Sequence, residues 1–222
     1  MLKKTLLGVM AVAAMALAIP SMAQATDTGT PIPTLPTGVD NAHIADLDGN
    51  PVNADVTLTG SLRLTGAVAI VCDNHVVIDI HDDGTSDVTS FTVTNCIVQG
   101  AAGAVCSAAI GGTNLPWGDK LGFDTRAGIN VFRDYVNVSF DLTLSGANCP
   151  ITGTFSETGT LFPEVEITGG DTITAHFWDN SGPEVSTGTV SGPLGSATVE
   201  GTLSGTLTSD ETDAFQLVNT GT

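Results

Sequence analysis

Residues 61–72 read Ser61-Leu62-Arg63-Leu64-Thr65-Gly66-Ala67-Val68-Ala69-Ile70-Val71-Cys72, and their alternation sets the fold class. Leu62, Leu64, Val68, Ile70 and Cys72 share one parity, while Arg63, Thr65, Ala67 and Ala69 share the other. Successive strand side chains point to opposite faces, so the first set is expected to face a core. The segment predicts one strand over 61–72. Asp73-Asn74-His75 then reads as a turn into a strand at 76–81, with Val76, Ile78 and Ile80 inward. Asp82 to Asp87 reads as a second turn, followed by a strand at 88–97.

The same rhythm continues downstream. Strands are expected at 129–145 (Val136, Val138, Phe140, Leu142 and Leu144 on one parity), 150–162, 163–168, 171–178, 184–191, 196–208 and 213–218. Runs of Val, Ile, Leu, Thr and Phe punctuated by Gly, Asn, Asp and Pro roughly every 8 to 12 residues are the mark of an all-β sandwich or barrel. No window of helical length keeps a 3.6-residue period. The expectation is a single all-β domain over 41–222, a two-sheet β-sandwich or sandwich-like barrel of about 10–12 short strands. An apolar-hydroxyl-glycine element recurs, as in Leu58-Thr59-Gly60, Leu64-Thr65-Gly66 and Leu203-Ser204-Gly205, and suits strands that end or bulge. Its intervals vary, which argues against a solenoid.

Upstream, Lys3 and Lys4 precede an apolar run from Thr5 to Ile19, and Ala23-Gln24-Ala25 offers a small-residue cleavage site. Residues 1–25 read as a secretory signal peptide. Residues 26–40 carry Pro31, Pro33 and Pro36, too close together for a helix or central strand, and read as a Pro/Thr-rich leader. Leu35-Pro36-Thr37-Gly38 is similar to a sortase signal but lacks the apolar tail and basic stop, so it is read as spacer. Outside 5–19 no stretch approaches the ~18 apolar residues of a spanning helix. The expected location is secreted, extracellular or periplasmic.

The 222 residues hold 24 Asp and Glu against 6 Lys and Arg. Removing the signal peptide leaves Arg63, Lys120, Arg126 and Arg133 as the basic residues, a net charge of −20. That excludes a nucleic-acid binder, which needs clustered cations for phosphates, and a polybasic membrane-surface protein. Four cysteines in an exported chain, Cys72, Cys96, Cys106 and Cys149, read as two disulfides. The spacing leaves all three connectivities open; Cys72 with Cys96 and Cys106 with Cys149 is favoured because each pair would staple segments near in chain order. None has CxxC spacing.

Candidate sites are few. If Val76, Ile78 and Ile80 face inward, Asp79, His81 and Asp83 project from the opposite side, where alternate residues can share a divalent ion. Asp46, Asp48, Gly49, Asn50 and Asp55 resemble fragments of a calcium loop, without an acid at the twelfth position, Thr57. The competing readings are a solvated outer face and a polar turn. No cofactor is expected, with Ca2+ weighed for both groups and zinc also for Asp79, His81 and Asp83. Trp117 and Trp178 are the candidate ligand-binding aromatics, against the alternative that each packs in the core. No GxSxG or HExxH occurs, and His43, His75, His81 and His176 form no recognisable triad. Glu164, Glu166, Glu184 and Glu200 are the carboxylates weighed as a glycosidase pair.

Cys72 closing a strand, Cys96 ending Phe91-Thr-Val-Thr-Asn-Cys96, then Cys106, Leu115-Pro116-Trp117 and Cys149 followed by Gly153 form an ordered set. Over about residues 55–155 it resembles a loose group of secreted proteins from actinobacteria. The resemblance implies export and a disulfide-linked β domain, and it carries over no functional residue. The reading is a secreted, non-catalytic β protein serving as a structural or interaction module with a surface-polymer or protein partner. A carbohydrate- or calcium-dependent ligand-binding module is the alternative, and a glycoside hydrolase comes third.

Overall fold

The 61–72 run folds back on itself. In the computed structural model, which describes residues 29–99, 106–126, 130–178 and 187–221, β2 (Ala54–Thr65) ends before Gly66 and β3 (Ala69–Ile80) returns beside it. Leu62 stands opposite Cys72 and Leu64 opposite Ile70. The expected inward set is therefore inward, but on two strands joined by a tight turn at 66–68. A reversal through an odd number of residues preserves parity, so alternation alone does not reveal it. The expected turn at 73–75 lies inside β3, where Asn74 is buried and its amide donates to the Cys72 carbonyl at 2.8 Å. The signal-peptide reading of 1–25 falls outside the described residues.

After β4 (Thr85–Gln99) come β5 (Ser107–Gly112), β6 (Trp117–Asp124), β7 (Val131–Ser145), β8 (Gly153–Leu161) and β9 (Glu164–Thr168). Then follow β10 (Thr172–Phe177), β11 (Gly188–Gly192), β12 (Gly195–Thr208) and β13 (Gln216–Gly221), with β1 (Val39–Ala45) preceding β2. Among the described residues 13 strands, against about 10–12 expected, form one sheet, and its named pairings are all antiparallel. The hydrogen bonds draw no boundary between two sheets. Instead the sheet closes. β7 is long enough to pair with β6 and β9 along its first half and with β5 and β8 along its second. β12 likewise pairs with β11 early and β10 late. Hence β5/β6, β8/β9 and β10/β11 each act as one interrupted wall strand. The ring runs β2, β3, β4, β5/β6, β7, β8/β9, β10/β11, β12 and back to β2, in chain order, which is an eight-position up-and-down barrel.

Closure asks for a tightly coiled seam between β12 and β2. Gly201 supplies it with φ +134°, and a Cβ there would run into the Ser61 carbonyl oxygen. Apolar residues line the inside: Val56, Leu58, Ile70, Val76, Ile78, Val138, Phe140, Leu142, Val199 and Leu203 are all buried. The outside carries Thr57, Thr59, Thr143, Thr154 and Ser156, the reverse of a lipid-exposed barrel. At the end bearing the 81–84 turn, β1 pairs with both β6 and β13 and packs Ala42 and Ile44 into the core.

Both disulfides join Cys72 to Cys96 and Cys106 to Cys149, with Cα–Cα separations of 4.2 and 4.8 Å. This is the connectivity favoured from chain order. A bulge aims Cys96 at Cys72: the register skips between Val71 and Asp73, and Asn95 takes φ 52°. Two disulfides fit an oxidising compartment. No helix among the described residues is long and apolar enough to cross a membrane.

The described part of the Pro-rich leader, from residue 29 on, is docked on the barrel. Thr30 bridges to Trp117 in parallel, its amide donates to the Pro116 carbonyl at 3.0 Å, and Asn137 Nδ2 donates to the Pro31 carbonyl at 2.9 Å. Prolines suit this strap because it uses their carbonyls and asks nothing of the missing N–H.

Candidate ligand site inside the barrel

The inward apolar residues do not fill the barrel. A cavity of about 110 Å³ lies between Leu58, Ile78, Val136, Ala175, Phe177 and Leu203. A smaller one of about 40 Å³ continues toward the β1 end, reaching Ile44, Leu121, Val165 and Ile173. The two share Leu58, Ile78, Ala175 and Asp134, so Asp134 sits at the waist of one interior column. Trp117 forms part of the wall of the larger cavity. It is 3% exposed, its Nε1 donates to the Thr113 carbonyl at 2.7 Å, and its ring lies 5.0 Å from that of Phe91.

Two acids interrupt this lining. Asp119 pairs across to Val136 and Leu121 to Asp134, which puts Asp119 and Asp134 diagonally adjacent on the inner face of β6 and β7. Asp119 is wholly buried; one of its oxygens accepts from Ser86 Oγ and the other, Oδ2, has no partner. Asp134 Oδ1 is likewise shielded and unpartnered. Burial pushes the Asp134 carboxyl up to about 7. Burial first, then the charges of Asp134 and Asp87, raises Asp119 well above the carboxylate range. A third acid, Glu157, is buried near the opposite end, against the turn between β11 and β12, and burial raises it too.

The outer face of the same two strands carries a different cluster. Arg126 grips Asp124 through Nε to Oδ1 at 2.9 Å and Nη2 to Oδ2 at 2.8 Å. Arg133, 1% exposed, places Nε 3.5 Å from Asp124 Oδ2, donates from Nη1 to the Phe162 carbonyl at 2.9 Å and stacks on the Phe162 ring. Burial alone would raise Asp124, but the hydrogen bonds and charge of Arg126, with the charge of Arg133, hold it below its ordinary value. Tyr135, whose hydroxyl accepts from Arg126 Nη2, is pushed up to about 12 by burial and by Asp124.

No protein family, curated protein or solved structure matches the chain. The assignment of a site therefore rests on its own geometry.

The sequence candidates are scattered over this frame. Asp46 spends both carboxylate oxygens on its own turn, accepting from the Asp48 and Asn50 amides at 2.9 and 2.8 Å and from Asn50 Nδ2 at 2.9 Å. Those bonds from Asn50 lower its pKa. Asp79 and His81 line a polar depression at the barrel rim with Asp55, Asp210 and Glu211. Asp83 instead accepts from the Thr85 amide at 2.9 Å, and His81 Nε2 lies 3.3 Å from Asp87 Oδ2. Among the described residues, no three of His, Cys, Asp and Glu are grouped to hold a metal ion. Trp178 is on the outer face, its ring stacked 5.4 Å from that of His176, which itself lies 3.2 Å from Glu166. Of the two tryptophans, only Trp117 reaches the cavity. Among the weighed carboxylates, Glu164 pairs in register with Arg133, Glu200 is 4.0 Å from Arg63, and Glu184 lies outside the described residues. Asp119 and Asp134 went unnoticed in the sequence. The signal was there: Asp134 shares the parity of Val136, Val138 and Phe140, and Asp119 that of Trp117 and Leu121.

Proposed function

We propose that the protein is an exported, non-catalytic binding module that holds a small apolar molecule inside its barrel. The carrying observation is the interior cavity of about 110 Å³ walled by Leu58, Ile78, Val136, Ala175 and Leu203. Eight-position barrels have interiors just wide enough to be filled by side chains or to hold one small ligand. An apolar cavity of about 150 Å³ stays dry and admits benzene, and the two adjoining cavities approach that size. A sugar fits this lining poorly, since its hydroxyls would lose water without finding partners. A structural or interaction module remains the broader class to which this reading belongs, and the polar, acidic outer wall keeps such a carrier soluble.

Calorimetric titration of the oxidised mature chain with toluene tests the proposal. Saturable one-to-one binding is expected, and Ala175→Leu, which fills the column where its two parts meet, is expected to abolish it while raising thermal stability. Absence of saturable binding to the wild-type chain would overturn the reading.

A further inference from the structure

The waist of the column is not apolar. Asp134 lines both cavities, its Oδ1 has no partner, and beside it the fully buried Asp119 keeps Oδ2 unpartnered. Buried polar groups ordinarily find partners, and each exception calls for an explanation. The shortage of basic residues is not the reason. Arg126, just past the end of β6, and Arg133 on β7 both form ion pairs with Asp124 on the opposite face. Ser86 supplies the inner acids with a single hydroxyl.

We propose that the unpaired oxygens of Asp134 and Asp119 receive the ammonium group of a small amine whose apolar body occupies the larger cavity. The inference rests on the proposed function and names its ligand class. An ammonium brings three donors and no acceptor, matching two ionisable acceptors that nothing in the barrel satisfies. It also brings the positive charge that a buried carboxylate needs to stay ionised. The wall around the waist leaves the charge to these acids: Leu121 on β6, Val165 on β9, Ile173 on β10 and Ile44 on β1 are apolar. Asp87 on β4 acts on Asp119 with the same negative sign. Outside, a chain of net charge −18 draws cations toward itself and raises their local concentration. A single aromatic ring or short branched chain with one amine fits the volume. A second charge or a longer chain does not.

The test titrates the oxidised mature chain with benzylamine and with toluene, its neutral counterpart, following the methyl resonances of Ala175 and Val136. Both ligands should bind. Asp134→Asn should weaken benzylamine at least ten-fold and change toluene less than two-fold. Benzylamine should bind more tightly as pH rises from 6 to 8, since the ammonium stays charged while Asp134 loses its proton. Toluene should show no such trend. If toluene binds but benzylamine does not, or if Asp134→Asn treats the two alike, the amine assignment is overturned and the apolar site stands. If neither binds, both fall. Should Asp134→Asn fail to fold, Asp119→Asn and the wild-type pH profile decide, and a benzylamine affinity flat with pH overturns the proposal.

Discussion

The β6–β7 pair buries acids on both of its faces and treats them in opposite ways. Outside, Asp124 is 2% exposed, held by two hydrogen bonds from the Arg126 side chain and by the charge of Arg133, whose Nε lies 3.5 Å away without a hydrogen bond, with Tyr135 closing the cluster. Inside, the Ser86 hydroxyl donates to Asp119 alone, and Asp119 Oδ2 and Asp134 Oδ1 are left without partners. The first arrangement keeps its charge by matching it, and its carboxyl is held low. The second holds its carboxyls above the ordinary range, burial pushing Asp134 up to about 7 and Asp119 well up as well. Two faces of the same strands, a few ångströms apart, thus show that the fold can neutralise a buried acid. That it does so on the structural face and leaves the cavity face unpaired is the basis for placing ligand recognition inside.

The comparison breaks most readily at Arg133. Arg133→Met leaves Asp124 buried with one partner fewer, and removing one member of a buried pair costs about 3–5 kcal/mol. Denaturant unfolding of the oxidised chain should show that loss, and an unchanged midpoint would mean the outer cluster is not matched charge by charge. Next comes the pH profile of stability. Asp134 is raised in the folded state, so the folded chain binds more protons than the unfolded chain from about pH 4 to about 7, and stability falls as pH rises through that window. Asp134→Asn should flatten this fall by on the order of 4 kcal/mol at pH 8. Asp124 acts oppositely: its folded-state pKa lies below the ordinary 3.8, so its contribution is lost only as pH falls below about 4. Identical slopes for wild type and Asp134→Asn would erase the contrast between the faces.

A smaller effect is expected at the strap. A Cβ on Gly118 would meet the Ile32 backbone nitrogen at 2.8 Å, so Gly118→Val should push the leader off the outer face. Overpacking of this kind costs about 1–3 kcal/mol, and limited proteolysis near residue 32 should accelerate in the variant but not in wild type. The smallest is Tyr135→Phe, which removes one acceptor for Arg126 and should cost about 1 kcal/mol by the same unfolding assay.

The alternation of Leu62, Leu64, Ile70 and Cys72, and of Val76, Ile78 and Ile80, made the all-β class and the inward faces legible. Where the chain turned was not, because the odd-length reversal at 66–68 keeps parity and looks like a continuing strand. β5 and β6 were missed for a related reason. Gly111, Gly112, Gly118 and Gly122 dilute their apolar pattern, and the leader buries the outer side of β6, so no polar face marks it as a strand. Ring closure depends on β12 meeting β2 across more than a hundred residues, which no local pattern encodes. For the site, Trp117 was readable as an aromatic candidate, and its cavity was not, since a void is set by how all the wall strands pack. Asp134 was readable by parity, since the strand expected at 129–145 already places it on the side of Val136, Val138 and Phe140.

The claim that a small apolar molecule occupies the barrel is tested most directly by carbon-resolved methyl NMR of the oxidised protein titrated with toluene. The account predicts saturable shifts at Val136, Val138, Ala175 and Leu203, which line the cavity, with Thr143 and Thr154 on the outer wall unmoved. Shifts confined to outer-wall methyls, or no saturable shift at any methyl, would contradict it.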